Sequence, residues 1–302
     1  MTGSGSFRLA GLAVLVLLAA AACGGPQEGT SPGATQNTPA AGPAQAGAAA
    51  GGQPPTSADR AAGSETRVLS SEATAFLKAM SDYVSSQPTI ELTFDSDIEV
   101  ITPQLEKIQF ASSGELLLSR PDKLRAHRVG GYSDVELIFD GKTVSINGKS
   151  ANGYAQFDAP GSLDHLIEAL RSGHGVSMPG ADLVQSNPYA VLVADVEEAK
   201  YIGRGVIDGR ECEHLAFRNF DTDWQLWVEV GERPIPRKLV ITSKTISSAP
   251  QYTLRIKSWR TGVRPSRDAF AFAPPAGARQ LDPNALIELD ELPQGAPAGG
   301  TR

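Results

Sequence analysis

Cys212 and His214 carry the most chemistry of any pair in this sequence. They stand two apart in a stretch of alternating apolar and polar residues, so both side chains would leave the same face of a strand. A metal site or a thiolate–imidazole dyad could begin that way. The other histidines, His127, His165 and His174, stand at no recognised ligand spacing, which leaves a core thiol as the default reading of Cys212. Asp221 with Asp223, or Glu197 with Glu198, could serve as general acid and base, but carboxylates spaced like this are far commoner as turn and edge charges. The chain has no Gly-x-Ser-x-Gly, no phosphate loop and no dinucleotide fingerprint, and Gly203-Arg204-Gly205 reads as a strand bend. The expectation is a protein without catalysis, cofactor or metal. Trp224 and Trp227, three apart, should face opposite sides of a sheet, one in the core and one exposed.

The elements that hold these residues begin with the chain ends. With 302 residues, a formal charge of −7 and two cysteines, the chain is no disulfide-rich miniprotein, basic nucleic-acid binder or polytopic membrane protein. Leu9 to Ala22 is an unbroken apolar run behind Arg8, too short to span a bilayer comfortably. It ends in Ala20-Ala21-Ala22-Cys23, which resembles the lipobox of bacterial lipoproteins, with Ala20 where Leu is commoner. Small residues admit the peptidase and the Cys23 thiol accepts the diacylglyceryl group, so the expected partner is a membrane, reached through acylated Cys23. An ordinary cleaved signal and a retained anchor helix are the alternatives. Gly24 after Cys23, in place of the Asp some bacteria use for inner-membrane retention, favours the outer membrane slightly.

Gly24 to Gly63 holds 9 Gly, 6 Pro and 11 Ala, with no aromatic and no aliphatic residue larger than Ala. Such a composition cannot bury enough surface to offset ordering entropy and reads as a flexible tether, roughly 35 Å end to end. The expected organisation is a leader over 1–22, lipidated Cys and tether over 23–63, one folded domain over 64–290 and a frayed tail over 291–302.

Within the domain, Ser70 or Ser71 caps a helix with Ala73, Phe76, Leu77, Met80 and Val84 at helical spacing. After Pro88 the period drops to two, and strands follow up to Phe157. Ser162 opens a helical insert through Leu170, a short helix follows over Ala181 to Gln185, and strands resume from Ala199 to Trp259, with a last one at Phe270 to Phe272. Asp140-Gly141, Asn147-Gly148 and Asp208-Gly209 are the dipeptides that favour tight hairpins. The fold class is α+β: an antiparallel sheet of about eleven or twelve strands, wide enough that it must curl, with helices over its concave side.

Several blocks carry a resemblance. Phe139-Asp140-Gly141-Lys142, Cys212-Glu213-His214-Leu215-Ala216-Phe217, Trp224-Gln225-Leu226-Trp227, Pro234-Ile235-Pro236-Arg237-Lys238-Leu239 and Phe270-Ala271-Phe272-Ala273-Pro274-Pro275, in this order, resemble the predicted periplasmic family called domain of unknown function 2092. That family is similar in fold to the LolA/LolB lipoprotein carriers. The resemblance implies a strongly curved, incomplete half-barrel with helices plugging its concave face and an apolar cavity for lipid or lipoprotein acyl chains. Leu92, Phe94, Leu116, Leu118, Leu137, Phe139 and Leu226 would supply the sheet side, and Leu163, Leu166, Ile167, Leu170 and Leu183 the helical side. Two readings stay open: these residues line a cavity, or they fill a dry core. With a dry core, the protein would be an interaction or stress-sensing module that meets an envelope protein partner through an exposed sheet edge or the Trp-bearing surface.

Overall fold

The computed structural model describes residues 67–283. The leader, Cys23, the tether and the tail lie outside the described residues.

The first helix forms where the sequence supplies both a cap and a stop. The Ser70 hydroxyl accepts a hydrogen bond from the Ala73 amide at 3.3 Å, and α1 runs Ser71–Ser86 with Ala73, Leu77, Met80, Ser81 and Val84 buried. Its C-cap, Gln87, is extended, as the residue before Pro88 must be. Ahead of it lies β1 (Val68–Leu69); after it come β2 (Thr89–Ile101), β3 (Lys107–Ser119), β4 (Lys123–Gly130), β5 (Asp134–Phe139), β6 (Thr143–Gly148) and β7 (Gly153–Asp158). The insert then holds α2 (Leu163–Glu168), a π-helical continuation over Ala169–Gly173, a 3₁₀ turn at Ala181–Val184 and α3 (Pro188–Val193). The chain returns through β8 (Glu198–Ile207), β9 (Arg210–Arg218), β10 (Thr222–Glu229), β11 (Pro236–Ser243) and β12 (Gln251–Thr261), and ends in β13 (Arg279–Gln280). No helix among the described residues is long and apolar enough to cross a membrane.

All thirteen strands belong to one unclosed sheet, ordered β1-β8-β9-β10-β11-β12-β2-β3-β4-β5-β6-β7-β13. Every pairing is antiparallel except the two at its ends, β1 on β8 and β13 on β7. The sheet must curl. Ala199 on β8 and Ala155 on β7 stand ten strands apart, ~48 Å in a flat sheet at about 4.8 Å per strand, yet both belong to one contiguous core. An open half-barrel fits that requirement. Helix α1 packs against β8, β9 and β10, and its buried side chains join the inward residues of the sheet in that core.

Four local expectations are corrected. The count is thirteen because each end of the sheet carries a two-residue parallel strand, too short to leave a periodic signal. Phe270 to Phe272 is not a strand. Those rings cover the outer face near Ile138 and Tyr154, Phe272 lying 5.6 Å from the Tyr154 ring, and Pro274 and Pro275 beyond them have no N–H for a ladder. Asn147 and Gly148 are the last two residues of β6, and the turn is made by residues 149–152, where Asn152 takes φ +46°. The segment after Gly180 is a single 3₁₀ turn. Asp208-Gly209 does form the expected two-residue hairpin, with positive φ at both positions, between Ile207 and its partner Arg210. The bend at Gly203 is a bulge with φ +123°.

Candidate functional site

The register puts Ile90, Leu92, Phe94 and Ser96 of β2 on one face, opposite Leu118, Leu116, Gly114 and Ser112 of β3. The same face continues through Leu124, Phe139 and Val144 on one side and through Ile256 and Leu254 of β12, Leu239 and Leu226 on the other. Two zones divide this face. In the first, Leu118, Phe139 and Leu226 are 0% exposed and enclosed with Leu166 and Leu170 from the insert, also 0%, and with Leu92, Leu163 and Leu183. Ile167, on the same helix, is buried as well.

The second zone is half-buried. Phe94, Leu116 and Leu137 pack on the core without being closed over. The sites expected from the sequence therefore fall into two groups, nine buried and three half-buried. Val135, Leu124, Leu254, Val176 and Met178 join the half-buried band without having been singled out. Val135 and Leu254 follow the period of two in their strands and could have been found by it; Val176 and Met178 lie in the irregular stretch after Gly175, where no period exists.

Glycines shape this band. A Cβ on Gly114 would lie 2.4 Å from the Phe94 ring and 2.6 Å from the His127 carbonyl, so the ring packs directly against bare backbone. Gly180, at φ +85°, brings the insert against Leu254 of β12. Arg171 and Asp182 fix the insert internally with paired hydrogen bonds of 2.7 and 3.0 Å. The Arg120 guanidinium ties it to α1 through the Val184 and Val84 carbonyls.

The polar pairs raised by the sequence do other work. Cys212 is wholly buried, its thiol 3.5 Å from the Arg210 carbonyl, and burial pushes its pKa up, away from a thiolate. His214 shares its face, but its Nε2 meets Gln225 Oε1 at 2.9 Å and its ring stacks on Trp227 at 4.1 Å. No contact makes a dyad of the two. Glu198 is held below the usual carboxylate range by its hydrogen bond with Lys200, and Asp223 is paired with Arg218 and Lys244. A general acid needs the opposite shift. No group of three or more His, Cys, Asp or Glu suited to a metal ion occurs among the described residues. Trp224 is buried against Phe217, donating to Asn219 Oδ1, while Trp227 is half-buried on the opposite face beneath Lys238. A cleft of about 140 Å³ on that outer face, between Ile138, Ser145, Gln156 and Phe270, is small and mostly polar.

No curated protein matches the sequence. Among solved structures, an uncharacterized conserved protein from Thermus thermophilus superposes with a TM-score of 0.43 at 9% identity, over 70% of this chain and 98% of that one. MucB gives 0.39 at 14% identity, over 68% and 64%. The lipoprotein LppX of Mycobacterium tuberculosis gives 0.33 at 12%, over 64% and 97%. Residues 73–282, nearly the whole described domain, match the model of the predicted periplasmic proteins called domain of unknown function 2092, and the chain belongs to that family.

Proposed function

We propose that this protein is a non-catalytic envelope lipoprotein, tethered to a membrane through acylated Cys23, which binds acyl chains of lipids or of other lipoproteins. In this reading the insert and α1 plug the concave face of the half-barrel, and the chains lie along the half-buried band of Phe94, Leu116, Leu137, Val135 and Leu254. That band is the observation supporting the reading. It is largely apolar, packed on the core and incompletely covered, with Arg128 placed by the register between Gly114 and Val135 on the same face. The fully enclosed residues, Leu118, Phe139, Leu166, Leu170 and Leu226, act as its rigid floor.

The test is native mass spectrometry and lipid extraction on the mature chain from Gly24 onward, made in a bacterial envelope. A stoichiometric lipid is expected, and it should disappear in Leu137→Asp, a half-buried position that tolerates charge better than sealed Leu166. A lipid-free protein that takes no acyl chains from vesicles would end this reading.

A second reading has an observation of its own. β1 covers only Glu198 and Ala199 of β8, and beyond them Ile202 and Val206 are exposed along the sheet edge. A protein partner adding a strand there would make the molecule an interaction module.

A further inference from the structure

Large apolar side chains are exposed mainly at one rim of the sheet. The pairings carry this rim from Glu198 on β8 to Arg218, Asp223, Thr242 and Gln251, and on to the β2–β3 turn. Leu105 in that turn, Tyr132 between β4 and β5, and Phe220 between β9 and β10 are 62%, 58% and 85% exposed, and Ile108, Val129 and Val68 are exposed beside them. These tips come from three separate hairpins, so no single packing need explains them.

Leu105 is the most telling. It sits at φ +64°, a conformation in which a bulky side chain is disfavoured and Gly or Asn would be expected, and its amide donates to the Thr102 carbonyl at 2.8 Å. A leucine there is set against backbone preference and exposes its side chain to water.

The chain enters the described domain at this same rim, since Val68 pairs with Glu198. Between Cys23 and Val68 lie residues 24–67, most of them the Gly, Ala and Pro tether. The geometry points to this rim as a membrane-docking surface, with Leu105, Tyr132 and Phe220 inserted among the lipids of the bilayer that holds Cys23. The inference rests on the tethered reading above, which supplies the occupant. A tether of this length would keep the rim at an effective concentration on the order of millimolar, so weak insertion by a few side chains suffices. The rim's lysines are paired: Lys107 with Glu99 at 3.0 Å, Lys149 with Asp134 at 3.4 Å and Lys244 with Asp223 at 3.3 Å. Attraction by apolar tips, independent of lipid charge, is what that arrangement favours.

The experiment places an environment-sensitive fluorophore on Leu105→Cys, Tyr132→Cys or Phe220→Cys, with Glu232→Cys at the opposite rim as control. Buried Cys212 is replaced by Ala in all four. The envelope-produced chain is reconstituted in phosphatidylcholine vesicles. Blue-shifted emission, quenched by spin-labelled lipid, is expected at 105, 132 and 220 and not at 232. Emission as in water at all three tips overturns the inference, as does a blue shift that persists without vesicles, which would indicate a protein partner or a second copy. Intact mass reports separately whether Cys23 is acylated. If it is not, the tether reading falls, and the Gly24–Arg302 chain with Cys labels and excess vesicles decides: insertion at the tips upholds the surface, and none rejects it.

Discussion

The sealed and half-open zones of the inner face share strands, register and residue types, and differ in what lies above them. Leu118 and Leu116 are two residues apart on β3, and one is wholly enclosed while the other is half-buried. Phe139 and Leu137 differ in the same way on β5. A leucine's type therefore does not decide whether it is core or surface here. What packs against each position decides it, and the contacts of Gly180 with Leu254 and of Gly114 with Phe94 lie in the half-buried part.

That contrast can be broken by substitution. Leu166→Ala removes a side chain at 0% exposure and should lower unfolding free energy by about 2–5 kcal/mol in urea titrations. Leu137→Ala, in the half-open zone, should cost clearly less; equal losses would mean the two zones are energetically one. Gly114→Ala forces the Phe94 ring off the backbone and should cost about 1–3 kcal/mol, with a change in any acyl-chain binding that Leu166→Ala does not reproduce. Ser70→Ala removes the α1 cap and should cost about 1 kcal/mol, loosening the cover without touching the floor, as amide exchange in α1 would report.

The smallest effect concerns the outer face. Burial raises the Asp134 pKa, but the His127 hydrogen bond and the Lys149 charge outweigh it and hold the carboxyl below its ordinary value. A depressed pKa contributes stability above the unfolded-state value, near 4, and loses it as pH falls through the folded value. Asp134→Asn should therefore be less stable than the parent at pH 7 and converge with it toward about pH 3.

The alternation of Ile90, Leu92 and Phe94, the Ser70 cap, the Asp208-Gly209 hairpin and the split of Trp224 from Trp227 were all legible, because each follows from local backbone geometry. The edge strands Val68–Leu69 and Arg279–Gln280 were not, because two residues carry no period. Phe270 to Phe272 misled for the opposite reason: alternating aromatics fit a strand, but those rings are covered by lying on the sheet rather than by extending it. Cys212 and His214 share a face as their spacing requires, yet Gln225 and Trp227, from the neighbouring strand, take the imidazole.

By itself, then, the sequence determined the types of the long elements, the α1 helix and strands such as β2 with its alternation of Ile90, Leu92 and Phe94, since these depend on residues near one another in the chain. Only the tertiary structure decided which apolar residues are enclosed and which stay open, and that Leu105, Tyr132 and Phe220 share a rim with the start of the domain. Burial and rim position are set by strand order and by what packs on the curled sheet, and those are contacts between residues distant in sequence.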